Sequence, residues 1–443
     1  MPETIIIGGG TSGLAAAYTL QRSGCDCLVL EKRDETGGRI AGKKRDGFII
    51  DAGAQFFFTR YATTFRLMES LEIKDKLIRF AKPIGILKKG KVHLVDPDIK
   101  KMLKSPRSLF NARFLSFPGT LKAAKLGLDL ARRWKNLHFV EAEKALDLDT
   151  WSASDYARRN YGEEVLEYAV QPLVSALTLG EPEEISAAYA LSLISWGVPG
   201  LLTTRDGIGL LADSLSVKVK NILTGARVEK IIVENNRVKG VRVNIKRKKE
   251  SIQAKNVICC VTATEAAKIL NGVHPLITDN LSRTTYSSCV HVIFALPHKI
   301  MGETYAIAVP RKEGLVFCGL TDNSNKVETY APEGCSLLHV YTYGKYAKEL
   351  LNKKESEVIN RVAADLVSVL PSFGEERIFS EVVRWEEAVC LSPPGKIVAA
   401  KRAAEAAQGY RGLYLAGEFM GMPSVEAALA SGIKAAGDVL ERA

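Results

Sequence analysis

Apolar residues follow two rhythms along this chain, and the change from one to the other marks its elements. Thr4-Ile5-Ile6-Ile7 is a short unbroken apolar run, the pattern of a strand covered on both faces. The run Leu14-Ala15-Ala16-Ala17-Tyr18-Thr19-Leu20 predicts a helix, and Cys27-Leu28-Val29-Leu30 a second buried strand. A helix follows at 63–71, then short strands around 84–87 and 91–94. Residues from about 56 to 200 read as mostly helical. Alternation returns at 227–233 and 238–243, which flank Asn235-Asn236 and predict a hairpin. A buried strand is expected at 254–261, with 246–250 a solvated hairpin tip. Strands at 287–294, 306–309, 315–318 and 337–343 predict another sheet, covered by a helix at 355–370. At the far end, a strand closing on Gly417-Glu418 precedes Ser424, a good N-cap for a helix running to 440.

Between the first strand and helix stands Gly8-Gly9-Gly10-Thr11-Ser12-Gly13. Strand, glycine turn and helix together are the context in which G-x-G-x-x-G signifies dinucleotide binding. Gly8 permits the tight turn, Gly10 lets main chain approach a pyrophosphate, and Gly13 allows close helix–strand packing. The helix start at Thr11 and Ser12 offers unpaired N–H groups to the anion. The second strand ends on Glu31, eighteen residues past Gly13, where a carboxylate can accept the hydroxyls of an adenosine ribose, with Lys32 beside it.

Glu31 is followed by Gly37-Gly38-Arg39 and then Asp51-Ala52-Gly53-Ala54-Gln55. In this order the chain resembles the flavin-dependent amine oxidase superfamily. The resemblance implies FAD, whose pyrophosphate and ribityl need a second close pass of main chain. It implies that Gly38 and Arg39 lie along the phosphate or ribityl, that Gly53, Ala54 and Gln55 lie beside the isoalloxazine, and that the main chain of Val228 meets the adenine. It also places Gly417 and Glu418 at the ribityl and pyrophosphate, and the N–H groups of Val425 and Glu426 at the flavin N1–C2=O edge. Further in, Tyr161-Gly162-Glu163-Glu164-Val165, Gln171-Pro172-Leu173 and Gly180-Glu181-Pro182-Glu183-Glu184-Ile185-Ser186 resemble the protoporphyrinogen oxidase branch. These motifs are scaffold, and they locate the branch rather than the chemistry. Arg384-Trp385-Glu386-Glu387-Ala388 resembles the element that this family places near the flavin, with Cys390 where the family usually has proline.

The implied fold class is α/β: a two-domain FAD-dependent oxidoreductase with a Rossmann-like FAD domain and an α+β substrate domain of mixed sheet plus helical cap. The FAD domain is expected from 1–55, 203–268 and 391–443, and the substrate domain from 56–202 and 269–390. A chain of 443 residues is too long for one core, and 47% hydrophobic with 25% charged residues is ordinary globular composition. The first strand starts within four residues of the N-terminus, leaving no room for a leader, and no apolar run approaches membrane-spanning length. Eight cysteines without C-x-x-C or metal spacing predict free thiols, no metal, and a cytoplasmic setting.

Charge changes the picture at one place. Of the net +11, much lies between Lys100 and Lys135, where ten Lys or Arg stand against the single acid Asp129. Interleaved Leu, Phe and Trp leave two readings of 100–135, a lid packed on its own domain or an amphipathic contact with a membrane surface. Nucleic acid is not expected as a partner, since no recognition motif accompanies the charge.

Three flavin chemistries fit the resemblance: a protoporphyrinogen-oxidase-like enzyme taking hydrogens from a large, mostly apolar small-molecule substrate, an amine oxidase, or a carotenoid-type desaturase. A flavin-binding membrane adaptor is the reading without catalysis. The run Ser287-Ser288-Cys289-Val290-His291-Val292-Ile293-Phe294 lacks the lysine that amine oxidases often carry there. Arg60 is the candidate cation for substrate propionates, and Phe57, His291 and Trp385 are candidate substrate-side residues, His291 as pocket wall. Hydride transfer to flavin N5 obliges no general base, and none is assigned. The electron acceptor, O2 or another, is left open.

Overall fold

The computed structural model describes residues 2–95, 114–197 and 200–442. The part of the basic stretch at 100–113 lies outside the described residues. Five strands form one parallel sheet, in the order Ile222–Leu223, Cys27–Leu30, Thr4–Ile7, Asn256–Cys259 and Leu413–Leu415. Strands from the start, middle and end of the chain therefore share one hydrogen-bonded ladder. A parallel sheet must be covered on both faces. On one face Ile6, Ile258 and Tyr414 pack with Ala16, Ala17 and Leu20 of the helix Thr11–Arg22 and Ala435, Ala436 and Val439 of the helix Val425–Arg442. On the other, Ile5, Ile7, Val257 and Cys259 pack with Val228, Val241, Ala263 and Ala403.

The first and last helices touch along small residues. A Cβ added at Gly432 would stand 2.1 Å from the Ser12 carbonyl oxygen, so nothing larger than glycine fits there. Ser12 Oγ and Ser431 Oγ, 419 residues apart in sequence, lie 3.5 Å from each other.

The hairpin Ala226–Glu234 and Arg237–Ile245 turns at Asn235 and Asn236, both with positive φ (48° and 54°), as a two-residue type I′ turn requires. Beyond it the tip expected at 246–250 is shorter. Lys246 and Arg247 make the turn with positive φ, and Lys248–Gln253 continues as a third, largely exposed strand. Its run of charges faces water along the sheet edge, so it carried no apolar alternation to announce it.

The second sheet has seven strands, ordered Phe379–Trp385, Cys289–Leu296, Ser336–Thr342, Phe317–Asp322, Ala306–Ala308, Ile84–Lys88 and Lys91–Val95. Ile84–Lys88 pairs parallel with Ala306–Ala308, so both excursions from the first sheet build this one. Alternation divides its faces. Val290, Val292, Phe294, Leu338 and Val340 pack on Val358, Val362 and Leu366 of the helix Glu355–Val369. The intervening His291, Ile293, His339 and Tyr341 face the other way, where Ile293 meets Phe48 and Ile50 of the two-stranded hairpin Gly42–Arg45 and Phe48–Asp51. A small sheet of Phe57–Phe58, Leu201–Thr204 and Leu77–Phe80 lies in the region read as mostly helical. Its strands are too short to show a period.

Gly432→Ala is expected to lower stability by about 3 kcal/mol or more, since the added methyl overlaps backbone that cannot yield. Chemical unfolding of wild type and variant measures it; equal midpoints would mean the helices separate without cost.

Candidate functional site

The glycine turn and Glu31 stand at the C-terminal ends of the parallel strands, the usual ligand position in such sheets. Gly8, at φ 103°, turns the chain out of the first strand. A Cβ on Gly13 would fall 1.9 Å from the Gly8 carbonyl oxygen, which is why helix and strand can close only on glycine. The helix Thr11–Arg22 has no side-chain cap and no acid in its first turn, so its leading N–H groups are left for an anion. Around Gly10 there is open space, with nothing within 4 Å of an added Cβ. Glu31 accepts from the Gly9 N–H at 2.6 Å and the Arg33 N–H at 2.9 Å, and a carboxylate holding two such bonds retains lone pairs for hydroxyls. Lys32 pairs with Glu265 at 3.9 Å.

The second glycine pair docks on the first turn. The Gly37 N–H donates to the Gly9 carbonyl at 2.9 Å, and an added Cβ on Gly38 would lie 3.4 Å from Gly10 Cα. The Ala54 N–H donates to the Arg39 carbonyl, and Gly53 passes so close that its Cβ would be 2.1 Å from that oxygen. Arg39 then reaches Glu418 at 2.7 Å, joining the two ends of the chain. The Tyr286 hydroxyl donates to the other Glu418 oxygen at 3.0 Å. Burial alone would raise the Glu418 carboxyl, but the Arg39 guanidinium outweighs it and holds the group below its ordinary range. Gly417, at φ 139°, is pinned by Ser431, which accepts from its N–H at 2.9 Å.

Ser424 caps the last helix, accepting from the Ala427 N–H at 3.0 Å, and the N–H groups of Val425 and Glu426 precede the intrahelical ladder. The Glu426 side chain does something the sequence did not announce. Its carboxylate accepts from the Thr63 and Thr64 N–H groups, at 2.6 and 2.8 Å, and so caps the helix Ala62–Ser70. Val228 is buried in its strand, opposite Val243.

On the side facing the second sheet, the Ala52 carbonyl accepts from Trp385 Nε1 at 3.0 Å and lies 3.2 Å from His291 Nδ1. A carbonyl only accepts, so the His291 proton sits on Nδ1, and its buried Nε2 has no protein partner among the described residues. Burial pushes this imidazole down to about 4, which keeps it neutral near pH 7. His291 stacks on Tyr341, with ring centroids 4.6 Å apart. Phe57 is fully buried in the helical core, edge-on to Tyr61, on a strand that pairs with Leu202. The Arg60 guanidinium lies over two indoles, 4.1 Å from the ring centre of Trp134 and 4.4 Å from that of Trp196, and its Nη2 donates to the Trp134 carbonyl at 3.5 Å. Its Nη1 is buried without a partner, and no carboxylate meets it among the described residues.

The fit to a flavin dinucleotide is therefore good. There is open space at Gly10, free donors at a helix start, a carboxylate at the strand end, a left-handed main chain at Gly38 (φ 59°), and main chain at Gly53 too close-packed for a side chain. Among the described residues no group of His, Cys, Asp and Glu is arranged to hold a metal ion.

Comparison with known proteins gives the same direction. The family described as flavin containing amine oxidoreductase matches residues 11–440. The chain is 24% identical to coproporphyrinogen III oxidase of Bacillus subtilis (strain 168), over 95% of each chain. It is 22% identical to the mitochondrial protoporphyrinogen oxidase of Nicotiana tabacum, covering 97% of this chain and 93% of that one. A solved structure of a candidate protoporphyrinogen oxidase from Exiguobacterium sp. 255-15 superposes with a TM-score of 0.79, over 100% of this chain and 99% of the other, at 19% identity.

Arg39→Met should cost about 3 kcal/mol near pH 7, because it leaves the Glu418 carboxylate buried without its cation. The folded carboxyl is held low, so the pair contributes above the unfolded pKa and is lost as pH falls through the folded value. Urea unfolding at about pH 7 and about pH 4 checks this. The variant's deficit should shrink on the acid side, and a deficit independent of pH would contradict it.

Proposed function

The chain belongs to the flavin containing amine oxidoreductase family, and from that premise we propose that it dehydrogenates a porphyrinogen. Membership makes it an FAD-dependent oxidoreductase; the substrate is the further step. FAD, when bound, supplies a hydride acceptor at N5. The protein's part is to hold and orient. The Gly8–Gly13 turn and the helix start would take the pyrophosphate, Glu31 the adenosine ribose, and Arg39 with Glu418 the ribityl side. N–H groups at Val425 and Glu426 would face the edge where negative charge develops on reduction.

What carries the porphyrinogen reading is Arg60. A half-buried guanidinium over two tryptophan rings, with a buried N–H unmatched, is left short of an anion. Burial lowers its proton affinity accordingly. A porphyrinogen propionate would supply the missing acceptor, while its flat apolar body suits the surrounding rings. The relatives named above act on porphyrinogens, the Q-P-L and G-x-P-x-x-I-S motifs point to that branch, and Cys289–Leu296 carries no lysine. Trp385 and His291 would form the wall beside the flavin.

A contact with a membrane surface has one observation in its favour. In the helix Phe117–Arg133, the side chains of Phe117, Leu121 and Leu128 share one face and are 75%, 60% and 59% exposed. Lys125 and Arg132 lie along one edge of that face, where they would meet an anionic lipid surface. No helix among the described residues is long and apolar enough to cross a membrane.

Under anaerobic conditions a propionate-bearing porphyrinogen should bleach the flavin, while a polyamine should not; reduction by the amine alone would refute the assignment. Arg60→Ala should raise KM about tenfold or more, the worth of one charge-assisted hydrogen bond. An unchanged KM removes the propionate role. Separately, wild type should float with anionic liposomes and a Phe117→Ser, Leu121→Ser, Leu128→Ser variant should not. Equal flotation of the two, or none by wild type, would end the membrane reading.

A further inference from the structure

The buried ion pair that lies nearest the flavin-facing turn belongs to none of the groups assigned to the cofactor. Lys326 Nζ is 2.6 Å from Asp51 Oδ2, and both side chains are 0% exposed. Lys326 follows the strand Phe317–Asp322 of the second sheet, whereas Asp51 ends Phe48–Asp51, on the way to the turn 52–55. The second hydrogen bond of Lys326 goes to the Gln55 carbonyl at 2.9 Å, and its ammonium lies 4.4 Å from the ring centre of Tyr330. Asp51 Oδ1 accepts from the Ile208 N–H at 2.9 Å. Asn323 Nδ2 donates to Gln55 Oε1 at 2.9 Å, and Gln55 Nε2 turns back to the carbonyls of Asp51 and Gly53, at 2.8 and 2.9 Å. With Trp385 and His291 on the Ala52 carbonyl, the second sheet and the short helix Asn323–Lys326 that follows one of its strands supply four side chains that grip one short turn.

A buried ion pair is a poor way to hold a fold together, because desolvation cancels most of the attraction, and apolar residues of the same size often do as well. What an apolar pair cannot do is hold a main-chain carbonyl in a fixed direction. We propose that Asp51 and Lys326 are a positioning pair, by which the second sheet sets the shape of the 52–55 turn against the flavin. Bound FAD then meets a wall that exists only when the two sheets are docked. This rests on the reading that Gly53, Ala54 and Gln55 lie beside the isoalloxazine.

The test compares the wild-type holoenzyme with Lys326→Met, with the double variant Asp51→Asn and Lys326→Met, and with Gln55→Ala. Melting temperature, FAD dissociation and the visible circular dichroism of the flavin are read for each. Lys326→Met should melt lower, and the double variant should regain most of the loss, since no charge is left alone. Both should nevertheless bind FAD about tenfold more weakly and show altered flavin dichroism, because the hydrogen bond to Gln55 is still missing. A double variant equal to wild type in FAD affinity and dichroism overturns the proposal. So does one that melts below Lys326→Met, for the pair would then be holding the fold. Gln55→Ala separates the two ideas. Unchanged dichroism there means that the turn does not lie beside the flavin, whereas altered dichroism with an inert double variant means that only the role of the pair is wrong.

Discussion

Arg39 and Glu418 are nearly the whole chain apart and meet at 2.7 Å in a mostly buried place. Neither could be left there without the other, since an unmatched charge away from water costs several kcal/mol. Their meeting requires that the first and last strands share a sheet and that the first and last helices touch. Gly432 makes the second condition possible by letting the helix reach the Ser12 carbonyl. Gly53 does the same for the main chain behind Arg39. The candidate cradle for the dinucleotide follows from these close approaches, because they bring the Glu31, Arg39 and Glu418 side chains and the glycine turns to one place.

The second sheet is divided by its alternation into two surfaces with different work. One is aliphatic and is sealed by the helix Glu355–Val369. The other carries imidazoles, hydroxyls and an amide, and it faces the turn at Ala52 and Gln55. Such a face is affordable only when its polar groups find partners. His291 and Trp385 meet the Ala52 carbonyl and Asn323 meets the Gln55 side chain, which ties the second sheet to the turn at 52–55. Glu426 works in the same way from the other side, with its carboxylate capping the helix that leads into the aromatic cluster of Phe58, Tyr61, Phe139 and Trp196.

Arg60 belongs to that cluster. Asp51 and Lys326, and Arg39 and Glu418, are matched as ion pairs within the chain, whereas Arg60 is met by two indoles and the Trp134 carbonyl. Tryptophan stabilises a cation without neutralising it. A guanidinium kept in this way retains its attraction for a carboxylate, which is what the proposed substrate would bring.

The amino-acid sequence by itself determined the parts of the cofactor site that depend on local backbone chemistry. The glycine turn at Gly8–Gly13, Glu31 at a strand end, the Gly37-Gly38-Arg39 pass and the cap at Ser424 are each written within a few neighbouring residues, because a strand, a tight turn and a helix start have local requirements. The resemblance carried by those residues named FAD and the family. Tertiary structure alone decided which distant groups would meet. Lys326 stands in Thr321-Asp322-Asn323-Ser324-Asn325-Lys326, a run that reads as an exposed polar loop, and nothing near it announces Asp51. The capping role of Glu426, the parallel join of Ile84–Lys88 to Ala306–Ala308, and the burial of Phe57 were hidden for the same reason. Periodicity reports which face of an element avoids water, but the identity of what covers that face is set by the packing of the whole chain.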